Sequence, residues 1–199
     1  STLRHTLFPY TTLFRSHFER GELDAALDLY DSTVDPGPDL FYIDVQNCAS
    51  LLARIELLGG DVGGRWASLA ERAAAWADDH QMAFTDVHTI VPLARTERPE
   101  AEAHLASLEA LAAGPGETAS RLRDHVLPVC HAVAAFYAGD FRRSVELLWP
   151  LKDDLVPLGG SHAQRDLFHL ILLESALRAG RFDLAHALAG ERVVLREHS

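Results

Sequence analysis

The segment LGGSHAQRDLF, Leu158 to Phe168, carries the densest set of chemically capable side chains in the sequence. His162, Asp166 and His169 stand at i, i+4 and i+7, a spacing that puts all three on one helix face. Two imidazoles and a carboxylate so placed can bind a divalent metal. The same face can form a small-ligand pocket in which Arg165 holds a carboxylate, or it can be polar packing at the mouth of a buried helix. A nucleophilic triad of Ser161, His162 and Asp166 fails on geometry, because adjacent helical residues point in different directions. Ser161 and Gln164 have capping-box spacing, and Gly159 and Gly160 let the chain enter sharply. A helix start therefore accounts for Gly, Gly, Ser and Gln, and leaves His162, Arg165 and Asp166 to be explained.

Two further histidines lie on apolar stripes. Phe84, Val87, His88 and Val91 repeat at i, i+3, i+4 and i+7, with Asp86 close by, and His125 borders the stripe of Leu122, Val126, Val129 and Val133. Convergence of His88, His125 and His162 would make a polar pocket; scatter to separate helix contacts would make them structural. The ligand-binding candidates are thus His162, Arg165, Asp166, His169, His88, Asp86 and His125. No catalytic residue is identified, and neither a resident metal nor a cofactor is expected. The chain has no phosphate-binding glycine loop, because DVGG lacks the lysine and the preceding strand, and it has no HExxH, paired CxxC or GxSxG.

The elements that must hold these residues are helices. Leu23, Ala26, Leu27 and Tyr30 form one amphipathic face, which Pro36 and Pro38 stop. Helices follow at 40–58, ended by Gly59 and Gly60, at 66–79, and near 82–95, 99–113, 118–138, 141–155, 162–179 and 181–195. Pro92 and Pro128 are expected to kink two of them. No stretch alternates with the period of a strand. The fold class is all-α, with short connections that make neighbours antiparallel. GPGE, Gly114 to Glu117, is the clearest loop.

FERGELDAALDLY, FYAGDFRRSVELL and LRAGRFDLAHALA share one pattern. A glycine (Gly21, Gly139, Gly180) is followed by a large apolar residue (Leu23, Phe141, Phe182) and then by a small one (Ala26, Ser144, Ala185). The glycine permits a tight turn, the large residue is expected to fill the gap between two helices, and the small one lets them approach. This is the hairpin signature of a tetratricopeptide-type repeat. The last two glycines are farther apart than the roughly 34 residues of that repeat, so the repeats are divergent. The expected architecture is a stack of antiparallel helical hairpins, an α-solenoid.

The 199 residues carry a formal net charge of −11. Nucleic acid and anionic membrane surfaces are therefore not expected partners, and no apolar run reaches the roughly 20 residues needed to span a bilayer. Cys48 and Cys130 read as buried thiols in a reducing, cytoplasmic compartment.

On GELDAALDLYD, on DVGGRW at Asp61 to Trp66, on FTDVH at Phe84 to His88 and above all on LGGSHAQRDLF, the chain resembles the C-terminal half of the tetratricopeptide repeat protein 38 family. That resemblance runs from about His17 to the end and implies a helical-hairpin protein without an established activity. It fits a scaffold for a protein or peptide partner; an enzyme or small-ligand binder around GGSHAQRD is the alternative.

TLFPYTTLFRS, Thr6 to Ser16, back-translates codon by codon into a string resembling a sequencing-library adaptor. Residues 1–16 are accordingly read as a non-native artefact and 17–199 as one helical-repeat domain truncated at its N-terminus. Its own missing N-terminal half would then be a partner. An apolar face along 22–33 and 40–58 is expected to lie uncovered, with aggregation as the result.

Overall fold

The fold was established from a computed structural model, which describes residue 17 and residues 20–197. The reading of residues 1–16 falls outside that range. Ten α-helices are named in chain order: α1 Leu23–Leu29, α2 Tyr42–Leu57, α3 Arg65–Ala73, α4 Ala83–Arg95, α5 Glu100–Ala112, α6 Glu117–Arg121, α7 Leu127–Tyr137, α8 Phe141–Leu148, α9 His162–Arg178 and α10 Phe182–Glu197. Among the described residues there is no strand, so the chain is all-helical. No helix among them is long and apolar enough to cross a membrane.

The helix ends follow local chemistry. Ser161 accepts from the Gln164 amide at 3.3 Å, while the Gln164 side chain accepts from the Ser161 amide at 2.8 Å. This is the expected capping box at the start of α9. Asp140 caps α8 by accepting from Arg143 N at 3.0 Å. The helix expected over 141–155 stops as α-helix at Leu148 and tightens to a 3-10 turn over Trp149–Leu151. Pro150 has no amide to continue the ladder.

The helix expected over 118–138 contains a π segment, Leu122–Val126, between α6 and α7. Pro128 lacks a donor, and its ring crowds the carbonyl four residues back. The ladder slips to i→i+5 just upstream instead of simply bending.

The core is organised about α4. Every residue from Phe84 to Leu93 is buried, which one apolar stripe on an amphipathic helix cannot produce. The cause is packing on several sides, by α2, α3, α5 and α7. Between α2 and α4, Gln46 Nε2 donates to Thr85 Oγ1 at 2.7 Å, which satisfies two buried polar groups where apolar faces meet. From α7 to α10 successive helices pack in chain order, but α9 also lies on α2. Arg54 of α2 donates to Ala163 O at 2.9 Å across 109 residues of sequence. α2 and α9 thus pack together although they lie far apart in sequence.

The glycine hairpin pattern is visible at atomic level. Ala26, Ser144 and Ala185 are all buried, as their size requires, and Gly139 and Gly180 have φ of 81° and 71°. Ser175 Oγ of α9 donates to Ser144 Oγ of α8 at 2.9 Å in a fully buried contact. Replacing Ser144 by Leu is expected to force these helices apart, costing about 1–3 kcal/mol in denaturant unfolding. An unchanged unfolding midpoint would show that the approach is not tight. The large residues behave less uniformly. Phe141 packs on Phe136, ring centroids 5.7 Å apart, beneath the Arg178 guanidinium at 5.3 Å. Phe182, the first residue of α10, fills no such gap: it is 68% exposed.

The expected bare face on the first helices is not seen. In α2, Val45, Cys48, Ala49, Leu51, Leu52, Ala53 and Ile55 are buried, because α4 and α9 cover them. Its exposed large apolar neighbours are Phe41 and Leu58, just beyond either end. Cys48 and Cys130 are buried free thiols, and burial pushes both thiol pKa values up.

Candidate functional site

The residues of GGSHAQRD are brought together along α9, but each has its own structural task. Arg165 donates to the carbonyls of Gly159 and Gly160 and so closes the turn behind its own helix. Asp166 accepts two bonds from Arg192 of α10. Burial works to raise its carboxyl, but the Arg192 bonds and charge, with the Arg54 charge, outweigh burial and hold it below the usual range. The Arg54 guanidinium is lowered to about 10, chiefly by burial, despite the nearby Asp166. His169 Nε2 lies 2.7 Å from the Lys152 carbonyl. His162 is exposed in the first turn of α9.

His88 and His125 do not join them. His125 Nε2 pairs with Asp154 at 3.0 Å, beside an open depression of about 410 Å3 lined also by Glu117, Arg121 and Asp124. His88 donates from Nδ1 to the Phe84 carbonyl at 2.7 Å, one turn back on α4. Its ring packs between Phe84 and Phe168, at centroid distances of 4.4 and 5.4 Å, and its Nε2 is buried without a partner. Burial first, and the Arg54 charge after it, lower its pKa to about 4, against the opposing pull of the Phe84 carbonyl. A neutral imidazole is therefore fixed in the core, where FTDVH meets LGGSHAQRDLF.

Among the described residues, a group of side chains that could hold a metal ion lies elsewhere, and only Asp86 of it was expected. His80, in the loop before α4, Asp86 in the first turn of α4 and His104 of α5 each place a ligating atom within 4.8 Å of the others. His80 Nδ1 is 2.9 Å from Asp86 Oδ1, and His80 Nε2 is 2.9 Å from Ser107 Oγ. His104 Nδ1 is 2.6 Å from the Ala77 carbonyl, and its Nε2 is 3.1 Å from the Asp86 carbonyl. Asp86 is 1% exposed, and its Oδ2 is buried without a partner. Burial lowers the His104 pKa, although the Ala77 carbonyl and the Asp86 carboxylate oppose that shift.

Three separate elements supply this cluster, so no spacing rule in the sequence announces it. The available signal was His104 on the buried stripe of Ala101, Leu108 and Ala112. Ser107, His80 and Asp86 make a hydroxyl–imidazole–carboxylate relay, the arrangement used for nucleophilic catalysis. The rest of such a site is not built around it. Ser107 sits within α5, whose amides are committed to the helix, so they cannot act as oxyanion donors. The depression beside His125 does not reach it, nor does another lined by Glu56, Arg95, Phe136 and Arg178.

No family model matches the chain, and no solved structure matches it significantly.

On the outer surface, Phe41, Tyr42 and Trp76 form an aromatic group. Phe41 is 4.6 Å from Tyr42 and 5.9 Å from Trp76 between ring centroids, and Tyr42 is 6.3 Å from Trp76. Phe41 is 54% exposed. Asp39, Asp78 and Asp79 lie within three residues of these rings in sequence.

Proposed function

We propose that the chain is a divergent tetratricopeptide-like helical scaffold that holds a protein or peptide partner, in line with its resemblance to the tetratricopeptide repeat protein 38 family. The carrying observation is the aromatic group of exposed Phe41 with half-buried Tyr42 and Trp76, near Asp39, Asp78 and Asp79 in sequence. Aromatic faces with nearby carboxylates suit Lys or Arg side chains on an amphipathic peptide, through cation–π attraction and charge complementarity. The recurring glycine turns with buried Ala26, Ser144 and Ala185 support the repeat assignment. The two buried free thiols fit a cytoplasmic location. An active site at GGSHAQRD is not favoured, since Arg165 and Asp166 are engaged in the turn and in the α9–α10 contact.

The test is fluorescence anisotropy with a labelled amphipathic Lys/Leu peptide. Binding is expected to weaken with added salt and to fall about tenfold or more in Phe41→Ala, the usual range for an aromatic anchor. Absence of binding, or binding indifferent to both Phe41→Ala and Trp76→Ala, would sink the reading.

A further inference from the structure

We propose that His80, Asp86 and His104 form a binding site for a divalent cation of the zinc class, which ties the loop before α4 to helices α4 and α5. The ligand types are those of zinc: two imidazoles and one carboxylate, within reach of one another. Magnesium and calcium favour oxygen ligands throughout and fit this set poorly.

The hydrogen-bond pattern independently points to a cation. In the neutral tautomer that donates from Nδ1 to the Ala77 carbonyl, His104 turns the Nε2 lone pair toward another lone-pair carrier, the Asp86 carbonyl at 3.1 Å. Neutral imidazole has one N–H and cannot donate to both carbonyls. Asp86 Oδ2, of the same cluster, is also buried with no partner. The cluster thus holds an unmatched imidazole lone pair and a bare carboxylate oxygen in the interior, where uncompensated polar atoms are costly. A metal ion accepts both.

The surroundings also supply the outer contacts that metal-bound histidines require. With the metal on His104 Nε2, its Nδ1–H keeps the bond to Ala77 O. With the metal on His80 Nδ1, its Nε2–H donates to Ser107 Oγ at 2.9 Å. Imidazole ligands are held in just this way by a second acceptor. Metal entry takes the His80 Nδ1 lone pair, so the single N–H of the neutral imidazole moves from the Asp86 side to Nε2, where Ser107 Oγ accepts it. Zinc ligand bonds of about 2.0–2.2 Å require the three donor atoms to draw closer. His80 is on a loop and can supply that movement.

The test uses the full chain, stripped of metal with a chelator and titrated with Zn2+ by calorimetry, with thermal melts alongside. One equivalent should bind. At a hundredfold excess over Kd the melting temperature should rise by about 5–10 °C. Co2+ in place of Zn2+ should give the visible absorption of a low-coordinate site. His80→Gln should abolish uptake. Ser107→Ala, a substitution of a half-buried hydroxyl that leaves the three ligands in place, should weaken Zn2+ binding about 10- to 100-fold without changing circular dichroism. The proposal is overturned if the folded, stripped chain takes up no Zn2+ at millimolar concentration. It is equally overturned if wild type, His80→Gln and Ser107→Ala bind Zn2+ with the same affinity, which would place the ion on surface histidines. Should His80→Gln fail to fold, Ser107→Ala decides.

Discussion

Gly160→Ala is expected to lower the free energy of unfolding by about 2–5 kcal/mol, one of the two largest effects anticipated in this protein. Two costs combine. Gly160 has φ of +68°, where an added Cβ is strained by about 1–2 kcal/mol. That Cβ would also stand 2.6 Å from atoms of the Phe84 ring. Phe84 is buried against His88, so the ring cannot swing clear, and overpacking adds about 1–3 kcal/mol. Gly139→Ala separates the two terms: its φ is +81°, but nothing lies within 4 Å of the added methyl. It should cost only the strain, about 1–2 kcal/mol. Urea unfolding of both variants measures the difference. Equal losses would show that the Phe84 contact carries no weight.

Stability should also fall as pH drops from about 6.5 to about 4, by about 3 kcal/mol in total, because of His88. Its ordinary pKa of 6.5 is lowered to about 4 in the fold. Between those values the unfolded chain binds a proton that the folded chain refuses, so unfolding becomes easier as pH falls. Above pH 6.5 neither state is protonated and the effect vanishes. Each pH unit in the window is worth about 1.4 kcal/mol. His104, lowered by burial, acts in the same direction. The carboxylates of Asp31, Asp35 and Asp166 are held low, so their contribution is lost only below the ordinary value of 3.8. The two regimes can therefore be told apart. His88→Leu should flatten the pH dependence above pH 4 and remove the orphaned Nε2. A dependence left intact in that variant would assign the effect to another group.

Much of the fold could be read from periodicity, and particular residues show where that reading stopped. Ser161 with Gln164 announced the start of α9, and Gly139 with Ser144 announced the α7–α8 turn, because both are local events within a few residues. The burial of α4 on all sides was not legible in the same way. Thr85, Asp86 and Thr89 lie in its buried run and mimic an exposed polar face in sequence; Gln46 and His80 turn out to partner the first two. The π segment before Pro128 was anticipated only as a kink, because a missing amide can be accommodated in several ways.

For the candidate sites the difficulty was greater. His162, Arg165 and Asp166 drew attention by being clustered in sequence, yet Arg165 serves the Gly160 turn, Asp166 serves Arg192, and His162 is exposed. The interior cluster draws on His80 and His104, which no motif joins; three-dimensional packing alone brings them to Asp86. The distinctive segments turn out to meet one another. Phe84 of FTDVH rests on Gly160 of LGGSHAQRDLF, and Asp31 of GELDAALDLYD accepts from Arg65 of DVGGRW at 2.5 and 2.8 Å.

The contact between α2 and α9 has a consequence for how the chain is made. Arg54 must wait for the carbonyl of Ala163, 109 residues later. At about 5–20 residues per second, α2 spends roughly 5–20 s outside the ribosome with the flank that α9 will cover still bare. During that interval the nascent protein is a natural client for chaperones that hold apolar helices. Substitutions in α9 that do no harm to the finished molecule can still lower its yield by prolonging that exposure.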